Sequence, residues 1–425
     1  MQIIENLKVK EKLFVEKLEN GMTVLIIPKE NSDKKYVIWG TNFGSLDNDF
    51  VIPGENKDTQ IPDGVAHFLE HKMFEQENGT NSLDVLSALG VNANAFTTND
   101  YTAYLFETTD NFYEALDELM NYVQNPYFTD ENVEKEKGII AQEIRMYDDQ
   151  PGWQLYMNAM KCLYKKHAIT IDIAGTVESI GKINKEILYN CYNTFYNPSN
   201  MVLVVSGNFK PEEILEEIKK RLIKKPIIGE IKRTYPVEDE EINKKEIQVN
   251  MEVSNPIFMM AYKDKQVENK DELVKKQIAL QILLYMVMGK SSKLYKELYE
   301  AGEILGTIDT AYEFGKGYAH VVISGQTQNP KKVIDRITDE LRKVKENGLD
   351  EKVFARVKKK IYGDYIIEYN DVSEIGRMFL EDYLKGINSF DYLENYDAVS
   401  CEYAKEILDE VFDEKKQVVS IVNPK

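Results

Sequence analysis

The feature that most limits how this chain can fold is an order of elements that occurs twice. The two occurrences flank a polar segment, KKPIIGEIKRTYPVEDEEINKK, at residues 224–245. With two prolines, one glycine, many charges and weak periodicity, that segment reads as a linker. Before it, FVEKLENGMTVLIIPKE alternates around Asn20-Gly21, a two-residue hairpin signal, and YVIWGTNFGS reads as a further strand. VAHFLEHKMFE follows a Pro62-Asp63-Gly64 turn with apolar residues at helical spacing, so Val65, Phe68, Leu69 and Phe74 are candidate core residues. Then come a helix at SLDVLSALG, a strand at NAFTTNDYTAYLFETT and helices at NFYEALDELMNYVQ and DENVEKEKGIIAQEIRMYDD. The first half closes with a helix near 184–195, the strand MVLVVSGNF and the helix PEEILEEIKKRL. Beyond the polar segment, strands EIQVNMEV and IFMMAYKD, helices near 270–288 and at SSKLYKELYEAG, strands GTIDTAYEF and YAHVVISGQT, helices, and a last strand QVVSIVN repeat the order. We therefore expect a two-fold repeat of α+β units, with domains at 1–223 and 246–425 joined by a linker at 224–245.

Charge and cysteine usage exclude some function classes. With 53 basic against 72 acidic residues the net charge is −19, which argues against a nucleic-acid partner and fits basic peptides, or simply a soluble surface. Cys162, Cys191 and Cys401 lie far apart and include no C-x-x-C, so they suit a reducing, cytoplasmic setting better than a disulfide framework. The longest apolar run, IALQILLYMVM at 278–288, is too short to span a bilayer and reads as a buried helix. No secretory signal is expected from MQIIENLKVKEKLFVEKLENG, whose charges interrupt every apolar stretch.

The chemistry-bearing pattern is HFLEH at 67–71. The chain has four histidines, and two of them, His67 and His71, stand four apart with Glu70 between. On a helix this spacing stacks both imidazoles on one face, as metal ligands require. A catalytic metal needs a third protein ligand and an open position. Candidates lie on the acidic helix, where Glu136 and Glu143 are seven apart and share a face. One of them can bind the ion while the other supports the site. The competing interpretation is a solvated acidic face, weakened by Ile139, Ile140 and Ile144, which make the helix substantially apolar. In the H-x-x-E-H arrangement Glu70 can act as general base toward a water that zinc acidifies to a pKa of roughly 7, which implies metal-assisted hydrolysis. MGKSS at 288–292 is not the end of a phosphate-binding loop, because the required first glycine falls on Leu284. His167 and His320 are isolated and read as structural.

These residues resemble the inverzincin peptidases of the pitrilysin and insulinase type, family M16, which include the mitochondrial processing peptidases. HFLEH matches the family's inverted zinc motif and EKGIIAQEI at 136–144 its distal glutamate helix. NANAFTTNDYTAY resembles the strand whose edge receives substrate as an added β-strand, and YNPSNMVLVVSGNF the strand closing the first domain. The resemblance covers residues 15–220 and, more weakly, GKSSKLYKELYEAGEILGTIDTAY. It implies Zn2+ held by His67, His71 and Glu143, Glu70 as base, Glu136 as a supporting acid, and Asn94, Ala95 and Phe96 as substrate-binding residues. It also implies an α+β fold of two homologous domains, each a mixed, mostly antiparallel sheet packed with helices, together forming half of a clamshell.

A half of this kind needs a second chain to enclose a peptide. After the GxSS turn, family members that complete a site supply an arginine and then a tyrosine; Tyr299 and Thr307 stand at those positions here. HKMFEQENGT is also longer than the usual segment after the motif and resembles a half-length bacterial branch of the family. The resemblance thus implies a zinc endopeptidase subunit paired with a relative lacking the zinc motif, with a homodimer as the other option. The alternative function is a non-catalytic or scaffold subunit, as the same fold serves in respiratory complexes and inactive partners.

Overall fold

A computed structural model describes all 425 residues. They form two compact units. Met1–Ile144, Ile171–Tyr235 and Ile366–Ser389 make the first; Arg145–Thr170, Pro236–Tyr365 and Phe390–Lys425 make the second.

The first unit is built on strands β1 (Gln2–Asn6), β2 (Glu11–Lys17), β3 (Thr23–Pro28), β4 (Lys35–Thr41), β7 (Asn92–Thr97), β8 (Thr102–Thr108) and β9 (Met201–Gly207), the numbers β5 (Asp49–Val51), β6 (Asp58–Gln60) and β10 (Lys232–Arg233) belonging to a small separate sheet. The large sheet runs β1-β2-β3-β9-β4-β8-β7, antiparallel except where β3 lies parallel to β9. β9 reads MVLVVSG and is buried along its whole length, as expected of a strand covered on both faces. Its helices include α1 (Val65–Lys72), α2 (Ser82–Ala88), α3 (Phe112–Gln124) and α4 (Asp130–Asp148).

Two local expectations are corrected. The hairpin at Asn20-Gly21 forms, but its paired ends are Lys17 and Thr23, and the Leu18 N–H donates to the Met22 carbonyl at 2.8 Å. Gly21 takes φ 86° while Asn20 keeps a negative φ, so a longer loop ending on a left-handed glycine replaces the two-residue turn. NAFTTNDYTAYLFETT is two strands rather than one: β7 and β8 pair antiparallel from Asn92↔Glu107 to Thr97↔Thr102. Thr98 Oγ1 accepts the N–H groups of Asp100 and Tyr101 at 3.2 and 3.0 Å, which gives the backbone a turn where the strand would otherwise continue. β7 is thereby left at the edge of the sheet.

The second unit carries β11 (Glu246–Met251), β12 (Ile257–Lys263), β13 (Asp309–Gly315), β14 (Tyr318–Gln326) and β15 (Gln417–Pro424), ordered β11-β15-β12-β14-β13 with β11 parallel to β15. Taken by order of appearance, β3, β4, β7, β8 and β9 and the five strands of the second unit both lie first, fifth, second, fourth, third. The repeated order of elements is therefore a repeated topology, with the one parallel pair in the same place. Helix Lys270–Met288 buries the run 278–288, and no helix is long and apolar enough to cross a membrane.

The compact units do not divide at residues 223 and 245. Helix α5 (Pro151–Leu163), from the first half of the sequence, packs on β12 and β15 in the second unit. Helix Val372–Leu384, from the second half, packs on β4 and β9 in the first. Each sheet has two apolar faces, and each has one of them covered by a helix from the other half of the sequence. Contact on β4 is close enough that a Cβ at Gly376 would lie 2.6 Å from the Tyr36 ring. The polar segment 224–245 is anchored rather than free. β10 pairs with β5, and Arg233 and Tyr235 both reach the buried Asp47, at 3.1 and 2.6 Å. On the second unit's side, Lys263 and Glu238 form a buried pair at 3.0 Å. Charges that look solvated in sequence are here matched to partners.

Candidate metal centre

Helix α1 is divided lengthwise by its sequence. Val65, Ala66, Phe68 and Leu69 are buried in the core, which leaves His67, Glu70 and His71 as a stripe at i, i+3 and i+4. The helix starts at Gly64 with φ 92°, where a Cβ would meet the Ala174 carbonyl oxygen at 2.3 Å, so a side chain at 64 would push the helix off its seat. All four residues expected in the core, Phe74 included, are buried.

α4 supplies the carboxylates. Val133, Ile140, Ala141 and Ile144 form its buried stripe; Glu136 lies within that stripe at 5% exposure, and Glu143 stands at its margin. Ile139 does not belong to the apolar face, being 45% exposed. The two helices bring His67, His71 and Glu143 together so that one ligand atom of each lies within 4.8 Å of the others. Glu143 Oε1 is 3.7 Å from His67 Nε2, and Glu143 Oε2 is 3.4 Å from His71 Nε2. Ligands on a tetrahedral ion with arms near 2.0–2.1 Å are about 3.3–3.4 Å apart, so this donor set fits an ion such as zinc with little movement.

Glu136 does not join the three. Its Oε1 accepts from His71 Nδ1 at 3.0 Å, an arrangement that fixes the proton on Nδ1 and leaves Nε2 facing Glu143. Burial opposes charge on His71, but the Glu136 hydrogen bond and the carboxylates of Glu70 and Glu143 carry its pKa above the usual 6.5. His67 differs. Its Nδ1 is buried without a hydrogen-bond partner, and burial together with His71 pushes its pKa down to about 3, so it stays neutral and able to donate a lone pair. Burial raises Glu143 against the pull of His71, with Asp172 and Glu136 adding to the rise. A carboxylate held this way, beside the neutral imidazole of His67, wants a cation.

Glu70 is buried beside this group and accepts a 2.6 Å hydrogen bond from Thr97 Oγ1, on the edge strand β7. Burial raises its pKa, with Thr97 and His71 opposing. A carboxylate raised toward neutrality can both take and return a proton. Since Thr97 points to α1, the alternation of β7 turns Asn94 and Phe96 to the opposite face and Ala95 to the same one. Asn94, Ala95 and Phe96 thus sit on the free edge, where a peptide backbone could pair. Thr97 adjoins the edge residues expected to bind substrate but carries no motif of its own; its one signal in the sequence is a hydroxyl at the strand end, in step with Ala95.

His167 and His320 are tied up elsewhere. His167 Nε2 bonds to the Lys316 carbonyl at 2.8 Å, and His320 contacts Tyr164 Oη and Glu313 at 2.9 and 3.2 Å.

Comparison with known proteins adds names to the geometry. The family model described as "Insulinase (Peptidase family M16)" matches residues 50–177, and one described as "Peptidase M16 inactive domain" matches residues 182–361. Every residue of the candidate centre falls in the former. A Bacillus subtilis protein described as "uncharacterized zinc protease YmfH" is 40% identical over 99% of both chains. The crystal structure of an Alicyclobacillus acidocaldarius protein described as an M16-like peptidase superposes with a TM-score of 0.93 at 33% identity, covering 98% of this chain and 99% of that one. The periplasmic protease PqqL of Escherichia coli, 17% identical with a TM-score of 0.76, covers all of this chain with 48% of its own.

Proposed function

Because this chain belongs to the insulinase-type peptidase family M16, we propose that it is a zinc-dependent endopeptidase whose ion is held by His67, His71 and Glu143. One observation carries the reading: the three donors converge at ligand spacing while a further buried carboxylate, Glu70, stands next to them and is hydrogen-bonded to the edge strand. The relatives named zinc proteases support the choice of metal, as does the nitrogen and carboxylate donor set.

When bound, zinc acidifies a water and polarises the scissile carbonyl. The chain's own groups do the rest. A peptide adds to β7, its backbone taking the unpaired N–H and C=O groups around Asn94, Ala95 and Phe96, which holds the scissile bond in line with the α1 stripe. Glu70 accepts the proton of the attacking water and returns it to the leaving amine, and Thr97 keeps its carboxylate oriented between the two transfers. Glu136 holds His71 in the tautomer that presents Nε2.

The chain also lacks residues a complete site would use. Segment 289–308 contains no arginine; Tyr295 and Tyr299 both lie on helix Lys293–Glu300, and Thr307 bonds to Asp309 at 3.1 Å. This supports a heterodimer in which a relative without the zinc motif supplies the missing arginine and tyrosine. Three unpaired cysteines, two of them buried, support a cytoplasmic setting. The substrate class is short or unfolded peptides.

The test is zinc content together with cleavage of a mixed quenched-peptide library, by the purified chain alone and after adding a half-length relative lacking the motif. The expected result is about one zinc per chain and cleavage that is strong only in the mixture. His67→Ala should lose the ion. Strong cleavage by a homodimer removes the heterodimer from the reading, and a chain that binds no zinc is a scaffold subunit instead.

A further inference from the structure

Lys72 follows the second histidine directly, and its side chain is fully buried at 0% exposure. A buried ammonium needs partners, because desolvation otherwise costs several kcal/mol. Its Nζ lies 2.5 Å from Glu75 Oε2 and 3.7 Å from Glu136 Oε2. The other oxygen of Glu136 is the one that accepts from His71 Nδ1. Lys72 is thus hydrogen-bonded to Glu75 and ion-paired at longer range with Glu136, whose other oxygen meets a ligand of the candidate centre.

Glu75 is built into the long segment after the motif. Ser82 N–H donates to the Phe74 carbonyl at 2.9 Å, Glu75 bridges Asn81, Gln76 N–H donates to the Thr80 carbonyl at 3.0 Å, and Gly79 N–H closes the turn on Gln76 at 2.9 Å. These bonds make a small closed hairpin that fixes the Glu75 backbone and aims its carboxylate back at Lys72.

We propose that Lys72 is a positioning residue of the metal centre, an ammonium that, clamped by Glu75, aligns the Glu136 carboxylate on His71. The proposal rests on the metal reading above. Glu136 is buried among Val133 and Ile140, and both its oxygens need donors. With Oε2 drawn toward the Lys72 charge at 3.7 Å, Oε1 is directed at the Nδ1 proton of His71, and the lone pair of Nε2 is presented toward Glu143 and His67. Without the ammonium, Glu136 loses the charge that draws Oε2 away from His71, and the carboxylate is free to turn from the histidine. The extra length of HKMFEQENGT thereby acquires a role: it delivers the carboxylate that seats Lys72.

The experiment measures zinc affinity of the full chain by chelator competition, and the absorption spectrum of its cobalt-substituted form, for Lys72→Met and Glu75→Gln. Lys72→Met is expected to bind zinc roughly 10- to 100-fold more weakly with altered cobalt bands while keeping its far-ultraviolet circular dichroism. Glu75→Gln should shift both readouts in the same direction by less. A folded Lys72→Met with unchanged zinc affinity and cobalt spectrum overturns the proposal and leaves the metal reading standing. If Lys72→Met does not fold, unchanged affinity in Glu75→Gln overturns it. An unsubstituted chain that binds no zinc overturns the metal reading and this proposal together.

Discussion

The two sheets share one topology, yet the polar clusters beside them are built on opposite principles. In the second unit, Asp264 follows β12 and Lys276 sits on the next helix. Lys276 Nζ is 2.7 Å from Asp264 Oδ2 and 3.1 Å from Glu410, and Tyr312 Oη donates to Asp264 at 2.9 Å. The lysine and Asp264 are each 2% exposed. That cluster contains its own cation and is closed. In the corresponding position of the first unit, between β4 and β7, α1 offers two imidazoles and Glu70, while α4 adds Glu143. Lys72, next to His71 in the chain, is paired with Glu75 and, at 3.7 Å, with Glu136. A carboxylate cluster with its own ammonium is a structural ion pair; one furnished with imidazole lone pairs offers the donor set a metal would take.

The largest expected separation between the clusters is in activity. Glu70→Gln should lower peptide hydrolysis by roughly 10²- to 10⁴-fold with zinc content unchanged, measured on the same preparation by cleavage assay and metal analysis. Retained cleavage would remove Glu70 as the base. Lys276→Met should do the reverse: zinc content stays the same, while stability in urea falls by about 3–5 kcal/mol because Asp264 is left buried without a cation. If that variant instead loses zinc, the two clusters are not independent.

A smaller effect concerns pH. The pKa of His71 is raised in the metal-free fold, so protonated His71 stabilises that fold fully below about 6.5, and the contribution is lost as pH rises through the raised value. Zinc competes with the same proton. The rise in Tm on adding zinc should therefore be small near pH 5 and grow as pH increases past 6.5; a rise independent of pH would mean that His71 is not a ligand. The mildest change is Thr97→Val, which removes one hydrogen bond to Glu70 worth about 1 kcal/mol and should lower kcat roughly fivefold without affecting zinc content.

Much of this was legible in the chain. HFLEH and the Glu136/Glu143 spacing are local periodicities, and a helix converts spacing directly into a shared face. The repeat was legible for a related reason, since element order survives in hydrophobic pattern. The chain did not announce that NAFTTNDYTAYLFETT turns back on itself, because Thr98 competes for the backbone through a side-chain oxygen that periodicity does not register. Nor did it announce that Ile139 faces solvent while Glu136 is buried. Both lie on one helix, and which stripe is covered depends on what packs there.

By itself the sequence determined the family, the repeated α+β order, and the donors that share a helical face, because each is set by neighbours within a few turns of chain. Helical spacing alone left open which glutamate approaches the histidines and which orients one of them; the family resemblance named Glu143 for the first part and Glu136 for the second, and the tertiary structure places them accordingly. It alone also assigned Thr97 to Glu70, Lys72 to Glu136, and the helices 151–163 and 372–384 to sheets formed by the opposite sequence half. Those are pairings between residues tens to hundreds of positions apart, and they are selected by the burial of whole faces and the matching of desolvated charges, which no local spacing encodes.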